Sequence, residues 1–164
     1  MMSDLKESID AARETLLRVG GPTVNVGGRV EGIVAHIRKE LDEIRVDPSD
    51  VIEYADVFIL AIDAAWRGGA SNDEIVEMFT QVDQFDDVQP VTDLEEALAL
   101  LCHFPRTLHA CCVVMACAKR MAADAGFDEA AFRDALDRKI AIVGTRKYPP
   151  MVEGRPFEHI REPT

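Results

Sequence analysis

A chain of 164 residues, 48% hydrophobic and 29% charged, is long enough for one domain with a substantial core. Its formal net charge of −12 excludes the basic footprint that nucleic acid or an anionic membrane surface requires. No apolar run reaches the roughly 18 residues of a membrane span, and the opening MMSDLKESID has no apolar signal-peptide centre, so a cytoplasmic setting is expected.

The hydrophobic pattern is helical almost throughout. Ser3 is placed to cap a first amphipathic helix from about Asp4 to Val19, which stops at Gly20-Gly21-Pro22. A second helix, about Arg29 to Arg45, carries the apolar stripe Val30, Ile33, Val34, Ile37, Leu41 and Ile44. Asp47-Pro48-Ser49-Asp50 then reads as a start signal, with Asp47 as cap and Pro48 at the first helical position. The third helix follows to Arg67 and is stopped by Gly68-Gly69. Ser71 with Glu74, and Thr92 with Glu95, form capping-box patterns that open a fourth and a fifth helix. Residues 81–91 between them read as an acidic turn. A break near Phe104-Pro105 precedes a helix from about Arg106 to Ala123, and Asp128 caps a last one from about Glu129 to Val143. Residues 144–164 form a basic, proline-rich tail. No alternating strand pattern appears, and the expected fold is an all-α helical bundle.

Cys102, Cys111, Cys112 and Cys117 crowd into one helical stretch at spacings that fit no zinc site, and they read as free thiols in a reducing compartment. A faint echo relates ILAIDAAWRGGASNDEIVEMF to VVMACAKRMAADAGFDEAAFRDAL. It aligns Asp73-Glu74 with Asp128-Glu129 at an offset of 55, with the acids of the first copy missing from the second.

The chemistry concentrates in the second and third helices. Glu40 and Glu43 lie three apart on one, and Glu53 and Asp56 three apart on the other. Such pairs share a helix face, so two adjoining helices would bring four carboxylates into one small volume. Carboxylates that close repel and lose hydration unless hard cations neutralise them. Asp63 continues the line of Glu53 and Asp56 within a helix that is apolar on most sides. None of the four histidines follows a glutamate at the spacing of a di-iron bundle, so Mg²⁺ or Mn²⁺ is favoured over iron or zinc. His36 reads as a helix-surface residue or a neighbour of the ligands. The plain alternative is that these acids form the solvated sides of amphipathic helices.

The segment HIRKELDEIRVDPSDVIEYADVFILAIDAAWRGG resembles the MazG-like, all-α nucleoside triphosphate pyrophosphohydrolases, in particular the dATP/dGTP pyrophosphohydrolase branch that includes the phage enzymes called MazZ. KIAIVGTRKYPPMVEGRPFEHIRE is similar to that branch's ending, with Tyr148-Pro149 where the branch usually has Trp-Pro. The resemblance spans about residues 29–78 and 127–162, leaving 79–126 as a helical insertion or a divergent helix pair. It implies cleavage of a purine deoxynucleoside triphosphate, dGTP or dATP, between its α and β phosphates, giving a monophosphate and pyrophosphate. Glu40, Glu43, Glu53 and Asp56 would hold Mg²⁺, with Mn²⁺ or Co²⁺ able to substitute, and Glu43 would double as general base. Asp63 would be an extra or supporting ligand. Lys139, Arg146 and Lys147 would meet the phosphates, and Tyr148 or Trp66 would stack on the base. A homodimer or homotetramer is implied, acting in nucleotide-pool sanitation or in supplying dGMP for an altered phage genome. A relative acting on dUTP or another modified nucleotide, and a non-catalytic all-α interaction protein, are the competing readings.

Overall fold

The computed structural model describes residues 2–148, 154–156 and 158. Most of the EHIRE ending, with Pro149 and Pro150, lies outside them. The described residues form seven helices and no strand: α1 (Met2–Gly20), α2 (Val26–Val46), α3 (Val51–Arg67), α4 (Asn72–Phe85), α5 (Pro90–His103), α6 (Leu108–Asp124) and α7 (Glu129–Thr145). No helix is long and apolar enough to cross a membrane. Cys111, Cys112 and Cys117 are buried free thiols, and Cys102 is an exposed one.

The helix ends show which local chemistry prevailed. Ser71 and Glu74 form the expected capping box, the Ser71 hydroxyl accepting from the Glu74 amide at 3.1 Å and the Glu74 carboxylate from the Ser71 amide at 3.0 Å. Asp128 caps α7 through the Ala131 amide at 2.8 Å. Elsewhere the starts shift. α1 already includes Ser3, so that residue is not its cap. Asn25 caps α2 through the Gly28 amide at 3.0 Å, three residues ahead of the expected start. α3 is capped by Asp50, whose carboxylate accepts from the Ile52 amide at 3.0 Å. Asp47 instead ends α2 and binds both the Ser49 amide and hydroxyl. Thr92 lies inside α5, which starts at Pro90 because proline lacks the N–H that a first turn leaves unpaired anyway. α4 runs on to Phe85, so only 86–89 remain as a turn.

α3 is the central helix. It packs most extensively against α6, then α2 and α7, with α1 and α4 completing its surroundings. That explains its apolar residues on nearly every side. Phe58 anchors the core, meeting Phe79 of α4 and Phe132 of α7 edge-on at 5.3 and 5.4 Å between ring centres.

The internal echo is real in three dimensions, but at an offset of 57 rather than 55. Ser71 and Asp128 are equivalent caps, and Gly69 (φ 109°) and Gly126 (φ 99°) make equivalent turns in a backbone region only glycine enters freely. The turn hydrogen bonds match as well: Ala70 N–H to Ala65 carbonyl at 3.2 Å, and Phe127 N–H to Ala122 carbonyl at 2.9 Å. So do the ends of α2 and α5, where Asp47 donates to Glu43 at 3.0 Å and Phe104 to Leu100 at 2.7 Å. The unit α2–α3–α4 therefore recurs as α5–α6–α7. α3 packs on α7 as α6 packs on α4, so the central helix of each half meets the last helix of the other. α1 has no counterpart and seals one side.

Candidate active site

α2 and α3 run beside each other and bring their acid pairs together, as the three-residue spacing requires. Glu40, Glu43, Glu53 and Asp56 line one cavity of about 170 Å³ with His36, Lys39, Lys139, Val143, Arg146, Tyr148 and Glu158. Oxygens of Glu40, Glu43 and Glu53 lie within 4.8 Å of one another, and so do ligand atoms of His36, Glu40 and Asp56. Glu40 belongs to both trios, so the donors form one continuous cluster. The third wall comes from the other half of the repeat: α7 supplies Lys139 and Val143, and the chain after it supplies Arg146 and Tyr148.

The acids act on one another's protonation. Burial would by itself push Glu40 up, but hydrogen bonds from His36 and Glu53 hold it down to about 2. Burial and the adjoining Glu40 carboxylate, reinforced by Glu43 and Asp56, push Glu53 up to about 8. Glu53 is thus the carboxyl of the pair pushed toward its protonated form. Burial also raises Asp56 above the usual range, opposed by the Lys139 ammonium 3.0 Å away. Both members of that pair are buried, at 9% and 6% exposure. A proton and an ammonium thus supply the positive charge the acids need. The donor set, hard carboxylate oxygens with a single imidazole, fits Mg²⁺ or Mn²⁺.

Other expected residues are placed differently. Asp63 does not line the cavity. Its carboxylate accepts from Arg67 Nε at 3.0 Å and lies 3.7 Å from an Arg29 nitrogen, all three side chains being buried. Arg67 also binds the carbonyls of Gly21 and Leu16 and the Thr23 hydroxyl. Asp63 therefore ties α3 to α2 and to the end of α1 and is saturated by guanidinium, which leaves it unsuited as an extra ligand. Trp66 is outside the cavity lining, its ring engaged by the guanidiniums of Arg67 at 3.9 Å and Arg13 at 5.1 Å. Lys147 is exposed and outside the lining. Tyr148 does line the cavity, and burial pushes its hydroxyl up to about 12.

Lys39, Val143 and Glu158 were not expected in the lining, and His36 was expected only as a helix-surface residue or a neighbour of the ligands. His36 Nε2 lies 3.0 Å from Glu40 Oε1, and its i,i+4 spacing from Glu40 was the available signal. Lys39 pairs with Glu158 of the tail across the mouth. Nothing local in the sequence links those two, although Glu158 opens the EHIRE ending. Arg38, by contrast, is on the solvated side, paired with Glu95 at 2.6 Å.

Comparison with curated proteins and with solved structures gives no significant match. Residues 23–88, which span α2 to the end of α4 and hold Glu40, Glu43, Glu53 and Asp56, match the family model described as dATP/dGTP pyrophosphohydrolase, the branch of the MazG-like enzymes that the chain resembles.

Proposed function

We propose that this chain is a divalent-metal-dependent pyrophosphohydrolase of purine deoxynucleoside triphosphates, releasing the monophosphate and pyrophosphate. The observation that carries the reading is the convergence of Glu40, Glu43, Glu53 and Asp56 on one cavity, inside the segment that matches the family. Magnesium, when bound there, would neutralise the triphosphate and polarise the α-phosphoryl group.

The protein's own residues account for the rest. Glu40, Glu53 and Asp56 are the buried or half-buried acids on which the cation would rest. Glu43, half-buried at the mouth, is placed to take the proton of the attacking water. Lys139 would release Asp56 when a cation arrives and turn to the substrate's phosphates, with Arg146 beside it. His36 fixes the orientation of Glu40. Tyr148, held protonated, offers a ring face and a donor to the base or sugar.

The test is pyrophosphate release across the common dNTPs and NTPs with Mg²⁺, Mn²⁺ or Co²⁺. Purified wild type should favour dGTP or dATP, and Glu53→Gln and Asp56→Asn should abolish turnover with the helical circular dichroism intact. A preference for dUTP would redirect the substrate, while silence toward every nucleotide would support the non-catalytic reading.

A further inference from the structure

A second cavity, of about 300 Å³, lies between α5, α6 and the turn that follows α4. Its lining includes Ala97, Leu100, Ala110 and Val113. At the 57-residue offset these are the counterparts of Glu40, Glu43, Glu53 and Asp56, in that order. Asp93 and Glu96, also in the lining, replace His36 and Lys39. Asp86 of the turn after α4 stands where Val143 stands in the first cavity. Seven equivalent positions thus surround a cavity in each half, and in each the third wall comes from the opposite half.

We infer that this second cavity is a disarmed twin of the acidic site, a metal–nucleotide pocket that has kept its place in the repeat but lost its ligands. Its four ligating positions are now apolar. The cationic positions are gone too, since Val82 and Gln89 replace Lys139 and Arg146. Its rim carries Asp86, Asp87, Asp93 and Glu96 with one imidazole, His109, 3.3 Å from Asp86. Such a pocket repels a triphosphate and offers a hard cation no convergent set of oxygens. Among the described residues there is accordingly one competent centre, and the second half serves it by supplying α7. Restoring four carboxylates, Ala97→Glu, Leu100→Glu, Ala110→Glu and Val113→Asp, should turn the twin into a second divalent-cation site.

The inference rests on the metal reading of the first cavity, and the experiment separates the two. Mn²⁺ binding, read by electron paramagnetic resonance of free Mn²⁺, is measured on wild type, on Glu40→Gln/Glu53→Gln, and on that double variant carrying the four restored acids. Wild type should bind, the double variant should lose binding, and the re-armed variant should regain it. Because Ala97 and Ala110 are buried, a milder variant, Leu100→Glu/Val113→Asp, is run in parallel in the same background, and far-ultraviolet circular dichroism reports folding of both. Wild type failing to bind Mn²⁺ would overturn the metal reading of both cavities. Wild-type binding with no recovery in a folded variant of either kind would overturn the twin alone.

Discussion

Asp63 separates a structural acid from a metal-binding one, because the two roles predict opposite phenotypes. Its carboxylate sits between two guanidiniums, and the side chains of Asp63, Arg29 and Arg67 are exposed by only 5%, 3% and 0%. Burial already pushes the Arg29 guanidinium below its ordinary value, with Asp63 pulling it back and Arg67 pushing further down. Asp63→Asn keeps the shape and removes the charge, leaving two buried cations to repel each other. Breaking a buried pair in this way costs about 3–5 kcal/mol. For a domain of this size that lowers the melting temperature by about 6–20 °C.

Thermal unfolding followed by circular dichroism measures the loss, and turnover at 20 °C measures what survives in the folded fraction. The expectation is a large drop in melting temperature with turnover per folded molecule largely kept. Arg29→Met should also destabilise, yet the double variant should lose less than the sum, since removing one guanidinium relieves the other. An unchanged melting temperature together with abolished turnover would refute the reasoning and return Asp63 to the metal.

Removing bound cations with a chelator should lower the melting temperature, because any ligand of the folded state alone stabilises it; calorimetry with and without Mg²⁺ reads this. In metal-free protein, Glu53 holds its proton up to about pH 8 when folded but only to about 4.5 when unfolded, so the unfolded chain releases that proton first. Stability should therefore fall as pH rises from 4.5 to 8, and Glu53→Gln should flatten that slope in urea titrations. Glu40, held down to about 2, acts in the opposite sense, its contribution present above 4.5 and lost as pH falls toward 2. Gly32→Ala would set a Cβ 2.4 Å from the Arg155 carbonyl oxygen, so despite a gain of up to about 1 kcal/mol in helix propensity it should loosen the tail. Faster proteolysis near Arg155 and a raised KM would register it, and unchanged values of both would show the tail to be irrelevant to binding.

The acid cluster was legible because it follows from helix periodicity and one packing assumption: two i,i+3 pairs on adjoining helices have little choice but to meet. The caps at Ser71 and Asp128 were legible for the same local reason. Asp47 and Thr92 failed because a nearby competitor won. Asp50 sits one residue ahead of α3, and Pro90 starts α5 two residues ahead of Thr92. Asp63 was misread because its i,i+4 partner Arg67 was visible but Arg29, on another helix, was not. The Asp56–Lys139 pair joins residues 83 positions apart, and no periodicity reports such a contact.

That pair also explains how four acids survive without a cation. A carboxylate as deeply buried as Asp56 would either take a proton or unfold its surroundings if left unpaired. Lys139 prevents both, from the one helix that the other half of the repeat contributes to this wall. The twin cavity supports the point by contrast. Where Lys139 has become Val82, the position matching Asp56 has become Val113, so acid and ammonium are present together in one half and absent together in the other. Lys139→Met should then destabilise metal-free protein far more than metal-loaded protein, since a bound cation would replace the lost ammonium. Equal destabilisation in Mg²⁺ and in chelator would show that Lys139 supports the fold independently of the acids.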